Sequence, residues 1–486
     1  MIPVLLILIP FLTGIISFFL KNERIARGWS LLSALITFAV SLTGLVFLNN
    51  YEYLHADAAW MPALGSRFSI AMDGMGQMLC LLTALLFPVI FIATWRQTYT
   101  RANSFYGLML LAQAGLMGVF VSVDALLFYF FWELALIPAY FLCSRWGGEK
   151  RIQVTFKFFI YTFVGSLFML VGLIYLYTRT PDQSFALTSF YNLHLTHTEE
   201  SWLFWMIFIA FAVKMPVFPF HTWQPDTYEQ SPSAVTMVLS GIMVKMGIFG
   251  VIRWLAPVLS FGTWAWGDTV SVLSIIGMIY ASLIAIQQDD LKRLIAYSSI
   301  AHIGLMALAI FATNDISMQG VMIQMFSHGV NITGMWIVVD LIERQFKTRK
   351  ISELGGLAQK APVLAILLVI IALANIALPL TNAFVGEFLM FSGVFTSAAS
   401  KYSVLFAAGA GISIILSAIY TLNMIQRVFY GSTTTLTARG KDAGRNELWI
   451  LSVIVVLILV VGVFPKPMLS LTLDTVQQVI SRMFIQ

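Results

Sequence analysis

Two lysines and two glutamates stand in stretches too apolar to hydrate them. Lys214 ends the run Trp205-Met-Ile-Phe-Ile-Ala-Phe-Ala-Val-Lys214, which Pro216 and Pro219 then break, and Lys245 lies midway along Ser240-Gly-Ile-Met-Val-Lys245-Met-Gly. Glu133 sits in Phe130-Phe-Trp-Glu133-Leu-Ala, and Glu387 follows a second break in Asn375-Ile-Ala-Leu-Pro379-Leu-Thr-Asn-Ala-Phe-Val-Gly-Glu387. An ammonium at membrane depth costs about 2.5–3.5 kcal/mol even on insertion scales, so each intramembrane lysine is a candidate ion-pathway residue. An isolated carboxylate there needs a proton or a cation, and Lys214 is the expected partner of Glu133. Loosening such a pair would release a proton. The bland alternative is a static buried ion pair that fixes helix packing, which is weak grounds for stability because apolar replacements often do as well.

Histidine titrates near physiological pH and passes protons in either direction. His302, in Tyr297-Ser-Ser-Ile-Ala-His302-Ile-Gly, and His328, in Gln324-Met-Phe-Ser-His328-Gly, fall on adjacent apolar segments between the lysines and Glu387. A lone buried histidine is more often a hydrogen-bonded core residue; two on neighbouring segments suit a relay. His221, in Pro219-Phe-His221-Thr-Trp-Gln-Pro-Asp226, belongs to the connection after the first break, where proton uptake and loop capping are both open readings. His194 and His197 beside Glu199 and Glu200 have a metal-like spacing, but a solvated loop explains them better.

The elements that must carry these groups follow from hydropathy. With 59% hydrophobic and 10% charged residues and a mean hydropathy of +0.86, the chain is a polytopic membrane protein rather than a soluble domain. Apolar runs of membrane-spanning length fall near 2–20, 28–48, 71–94, 104–122, 124–143, 154–178, 201–219, 233–256, 267–287, 292–312, 316–341, 362–395, 403–426 and 447–464, which gives about fourteen transmembrane helices and an all-α fold. The first lacks a basic region and a small-residue cleavage site and reads as a span, not a signal peptide. With the N-terminus outside, twenty Lys and Arg residues fall on inward connections, six fall outside and two lie within spans. That bias places both termini on the outer side, as in a bacterial inner membrane, and makes the basic balance a matter of orientation rather than of nucleic acid.

The two proline-broken segments are each the fourth span of a five-span block. Five is odd, so consecutive blocks have opposite topology, the arrangement of an inverted repeat with its site at the breaks. The expected organisation is 1–103 with three helices, 104–256 and 267–428 as the two repeats, and 429–486 as a last helix and tail. Cys80 and Cys143 are too few and too far apart for an iron–sulfur cluster or a structural zinc site, and Gly355-Gly356 lacks the strand and lysine of a phosphate loop. No cofactor is expected in this chain.

Phe211-Ala-Val-Lys-Met-Pro-Val-Phe-Pro-Phe-His-Thr-Trp-Gln-Pro-Asp226, Asp289-Asp-Leu-Lys-Arg-Leu-Ile-Ala-Tyr-Ser-Ser-Ile-Ala-His-Ile-Gly304 and Phe131-Trp-Glu133 resemble the antiporter-like membrane subunits of proton-pumping NADH:quinone oxidoreductase, respiratory complex I. Multisubunit cation/proton antiporters and membrane-bound hydrogenases share that superfamily. The stretch Asp124-Ala-Leu-Leu-Phe-Tyr-Phe-Phe-Trp-Glu-Leu134, with an acid in the last broken helix, is similar to the subunit M, or chain 4, branch. The resemblance implies that Glu133 and Lys214 form a coupling pair, that Lys245, His302 and His328 relay, and that Glu387 is the terminal acid. It also implies neighbouring antiporter-like subunits, membrane lipids, and flavin, iron–sulfur clusters and quinone in partner subunits. The connections 179–200 and 428–446 are short for the family.

Overall fold

The structure is a computed structural model describing residues 1–47 and 51–484; Leu48, the end of the second apolar segment, and the last two residues of the 429–486 region lie outside the described residues. Its helices of eight residues or more are α1 (Ile2–Ser17), α2 (Glu23–Val46), α3 (Gly74–Ala93), α4 (Ala102–Val121), α5 (Ala125–Trp146), α6 (Arg151–Arg179), α7 (His197–Lys214), α8 (Trp223–Gln230), α9 (Ser233–Leu255), α10 (Ser260–Gln287), α11 (Leu291–Ile310), α12 (Asp315–Phe346), α13 (Pro362–Asn375), α14 (Asn382–Phe395), α15 (Ser403–Phe429), α16 (Arg445–Val463) and α17 (Lys466–Met483). Eleven of them are long and apolar enough to cross a membrane among the described residues, namely α2 to α6, α9 to α12, α15 and α16, with α1, α13 and α14 as shorter apolar helices. α7 carries Glu199, Glu200 and Lys214 besides its apolar run. Helices dominate because lipid leaves backbone groups no partner but one another.

Side chains at the segment ends decide where helices start. Asp73, Asp124 and Asp290 are N-caps of α3, α5 and α11, each accepting backbone N–H groups of the first turn. Asp124 is the most heavily used: it takes Leu126 N–H at 3.1 Å, Leu127 N–H at 3.0 Å, Ser66 Oγ–H at 2.8 Å and Arg67 N–H at 3.0 Å. The last two come from a two-stranded antiparallel hairpin, β1 (His55–Met61) and β2 (Ser66–Ala71), which the hydropathy pattern did not reveal. Arg67 pairs with Asp57 across it, and that guanidinium hydrogen bond holds the Asp57 carboxyl below its usual range.

The chain forms two compact units. The first comprises 1–215, 230–266 and 471–486. In it α1 and α4 meet backbone to backbone at Gly14 and Gly107, where an added Cβ would lie 3.0–3.2 Å from the opposing glycine's carbonyl. α4 also presents Gly115 to the backbone of Leu134 and Ala135 and Gly118 to the Phe131 ring, which sets the rotation of α5. Small residues at such crossings are how apolar helices approach closely in lipid. α6 turns Ile152, Phe156, Ile160, Val164, Phe168 and Val171 outward at helical spacing, an exposed apolar stripe suited to lipid.

The second unit comprises 216–229 and 267–470. In it α12 crosses α14 closely, again through glycines: Gly320 lies against Met390 N, Gly386 against Gln324 and Gly393 against Ser317. The apolar segment 362–395 is not one helix but two, α13 and α14, separated by 376–381. Ala377 and Leu380 there have φ of 56° and 73°, a left-handed conformation that costs a residue with a Cβ and marks a strained turn. α17 was not anticipated; its buried residues Thr472, Thr475, Val476, Val479, Ile480 and Met483 recur at helical spacing, but no run is long enough to register as a span.

Candidate functional site

Three of the expected residues lie in the first unit. Glu133, on α5, is half-buried and faces the hydroxyls of Tyr129 and of Ser166 on α6, while its Oε1 is buried with no hydrogen-bond partner. Lys214, the last residue of α7, is 1% exposed, and its Nζ has no hydrogen-bond partner among the described residues. The ammonium lies 5.6 Å from the centre of the Trp132 ring and 5.8 Å from that of Phe158, where the negative faces of the rings stabilise a cation. Glu133 acts on Lys214 through its field, yet no ion pair joins them among the described residues. The two residues expected to couple are thus neighbours without an ion pair among the described residues, each also facing groups of its own.

Lys245 is fully buried in α9, whose apolar stretch is buried throughout. That helix widens at Leu239–Met243 and again at Val251–Leu255. In an ordinary α turn the Val244 N–H would bond to Ser240 O; here it reaches Leu239 O at 3.2 Å, and Ser240 O accepts the Lys245 ammonium at 2.9 Å. α9 passes close to the end of α7, since a Cβ on Gly247 would lie 2.7 Å from Phe211 O and 2.8 Å from Met215 N. The two lysines are therefore carried by helices in direct contact at the point where α7 stops.

The other four lie in the second unit. His302 on α11 and Glu387 on α14 are 85 residues apart in sequence and joined by a 3.1 Å contact from Nδ1 to Oε1. Gln324 on α12 donates Nε2–H to the same oxygen at 3.3 Å. The His302 Nε2 faces Asn375 Nδ2 at 3.3 Å, Asn375 Nδ2–H donates to Ser298 Oγ at 3.2 Å, and Tyr420 O–H donates to Ser298 Oγ at 2.9 Å. The His328 ring lies 5.8 Å from that of His302, centre to centre. Beside Glu387 and His302 is a cavity of about 10 Å³ that Ser413 and Ser417 of α15 also line, room for about one water.

His221 is buried in the turn after the α7 break, its ring 5.4 Å from that of Tyr280 and 5.7 Å from that of Phe218. An ionic cluster pins α8, which follows that turn. Arg293 pairs with Asp226 at 3.1 Å and Glu229 at 2.9 Å, Arg349 pairs with Glu229 at 2.7 Å and with Asp290, and Lys292 pairs with Glu343 at 2.7 Å. No group of three or more His, Cys, Asp or Glu side chains among the described residues could hold a metal, His194 and His197 included. Sequence reasoning missed Tyr129, Ser166, Ser240, Ser298, Gln324, Asn375 and Tyr420. Asn375 and Gln324 carried a signal, as amides inside apolar runs; the hydroxyls carried none, since Ser and Tyr are ordinary in such helices.

Residues 122–415 match the family model described as NADH:quinone oxidoreductase/Mrp antiporter, TM, and the chain belongs to that family of antiporter-like membrane subunits. Within it the chain is a homologue of subunit M of complex I. It is 36% identical over 449 residues to the NADH-quinone oxidoreductase subunit M of Rickettsia typhi, covering 91% of this chain and 89% of that one. It is 33% identical over 504 residues to the F(420)H(2) dehydrogenase subunit M of Methanosarcina mazei, covering 99% of both. Among solved structures, a chain of respiratory complex I from Thermus thermophilus with bound NADH superposes with a TM-score of 0.90 at 28% identity, over 99% of this chain and all of that one.

Proposed function

We propose that this chain translocates protons as a membrane-arm subunit of an NADH:quinone oxidoreductase, and does no redox chemistry itself. The observation that carries this reading is Lys214: an ammonium buried without a hydrogen-bond partner among the described residues, on the last residue of its helix and two residues before Pro216. A cation so placed contributes little to packing and is poised to lose its proton when Glu133 or the broken turn shifts. Quinone reduction in partner subunits, which would carry the flavin and iron–sulfur clusters, perturbs the Glu133–Lys214 region. A proton is then passed through Lys245 and onward by His302 and His328 to Glu387, with His221 serving uptake from the basic, inner side. The fourteen-span organisation, the inverted repeats 104–256 and 267–428, outer termini, and contacts with neighbouring antiporter-like subunits and lipids belong to the same proposal. The Methanosarcina relative favours a second reading of the electron donor, in which F(420)H(2) rather than NADH feeds the complex while this chain's task is unchanged.

The test is Lys214→Ala in membrane vesicles, with assembly followed on native gels and with proton pumping and electron transfer measured together. Intact assembly with both activities falling about tenfold or more supports the relay; wild-type activities would make the lysine structural and sink the reading.

A further inference from the structure

The two halves of the broken helix hold one imidazole by its two nitrogens. Asn375 is the last residue of α13 and meets His302 Nε2, while Glu387 on α14 meets His302 Nδ1. The amide nitrogen of Asn375 can only donate, so Nε2 must accept, and the ring proton then sits on Nδ1 and is donated to Glu387. The partners of Asn375 and Glu387 agree with this. Ser298 Oγ accepts from the same Asn375 amide group, and Glu387 Oε1 accepts a second donor, the Gln324 amide. Asn375 is 5% exposed and His302 6%, so water does not compete freely for either contact.

A histidine that relays must take a proton at one nitrogen and release one from the other. Here Nδ1 already points at Glu387, so Nε2 is the receiving atom, and Asn375 covers it. We propose that Asn375 is a gate: a proton enters His302 only when the end of α13 withdraws the amide from Nε2. A donor X–H bond then breaks as N–H forms at Nε2, giving an imidazolium. Its Nδ1–H bond breaks as O–H forms on Glu387, and no electrons change hands. Ser298, four residues before His302 on α11 and hydrogen-bonded to Tyr420, shares the Asn375 amide with that atom, and the His328 ring lies 5.8 Å from the His302 ring, centre to centre. The strained turn at Ala377–Leu380 joins the two half-helices, so a change in that turn moves Asn375 relative to Glu387. Asn375 is a positioning residue: it acts on the proton through His302.

This proposal rests on the relay reading, so its test runs beside Glu387→Gln in vesicles that carry the assembled complex. The quantity read is protons translocated per electron transferred. Asn375→Leu removes the donor at similar size, and Asn375→Asp keeps the shape while replacing the donor with an acceptor that favours the opposite tautomer. The expected result is electron transfer near wild type with the proton-to-electron ratio reduced about fivefold in both variants, the weight of one hydrogen bond in an equilibrium. A residue that merely packs would lower assembly and electron transfer together and leave the ratio untouched, which overturns the gate. Should Asn375→Leu fail to assemble, the isosteric Asn375→Asp decides by the same ratio. If Glu387→Gln lowers proton pumping but neither Asn375 variant lowers the ratio, the gate is wrong and the relay survives; if Glu387→Gln leaves pumping and electron transfer at wild-type levels, the relay itself falls and the gate with it.

Discussion

Replacing Lys245 by methionine separates a functional lysine from a structural one. The side chain is fully buried in α9 and donates a charge-assisted hydrogen bond, 2.9 Å, to Ser240 O. Such a bond contributes about 1.5–3 kcal/mol, comparable with the cost of about 2.5–3.5 kcal/mol for placing the ammonium at membrane depth. Methionine keeps the length and flexibility of the stem and avoids a cavity. It leaves Ser240 O without the ammonium, a penalty of about 1–3 kcal/mol that the saved desolvation offsets. Lys245→Met is therefore expected to assemble to within a small margin of wild type, with thermal stability of the extracted complex nearly unchanged. Proton pumping, read as dye quenching in vesicles during electron transfer, should fall about a hundredfold, because methionine cannot carry a proton. Wild-type pumping in an assembled Lys245→Met complex refutes a relay through this residue. Loss of the subunit from native gels instead shows that the wide turn at Leu239–Met243 depends on the ammonium.

The remaining expectations are narrower. In Gly386→Ala the new Cβ would lie 2.5 Å from Gln324 Oε1 and 3.1 Å from Gln324 Cα, so α14 must shift and the Gln324–Glu387 bond at 3.3 Å is lost. Overpacking of this kind costs about 1–3 kcal/mol, visible as a lower melting temperature of the purified complex, and an unchanged melting temperature would show that the α12–α14 crossing is loose. The hairpin gives a pH test. Asp57 has a folded-state value below its unfolded one, so its contribution is present above the unfolded carboxylate range and is lost as pH falls through the folded value. Asp57→Asn should accordingly speed limited proteolysis of 55–71 at neutral pH, and the difference from wild type should vanish in strong acid; a difference that persists there would assign the effect to something other than the Arg67 pair.

Much of the site was legible one residue at a time. Lys214, Lys245, Glu133, His302, His328 and Glu387 stand out because a charge or an imidazole in an apolar run is costly wherever that run packs. Proline placement located both helix breaks for an equally local reason, the missing N–H and the ring's clash with the preceding turn. What the residues could not convey was partnership. Lys214 next to Glu133 in the order of function suggested contact, yet Lys214 rests between Trp132 and Phe158 while Glu133 faces Tyr129 and Ser166.

The sequence by itself determined the membrane class, most of the helical segments, the two breaks and the burial of Lys214, Lys245, His302, His328 and Glu387, since each depends on the free energy of one stretch of chain in lipid or on one residue's backbone. Only the tertiary structure decided that His302 and Glu387 meet across 85 residues, that Asn375 closes the other face of the imidazole, and that Lys245 holds a carbonyl in a widened turn of its own helix. Helix rotation and depth set those contacts. They are fixed where Gly115, Gly247, Gly320 and Gly386 let one backbone settle against another, and a glycine in the sequence does not name the helix it will receive. The hairpin at 55–71 and the amphipathic α17 escaped for a related reason: each is stabilised by what it packs on, not by a run of its own.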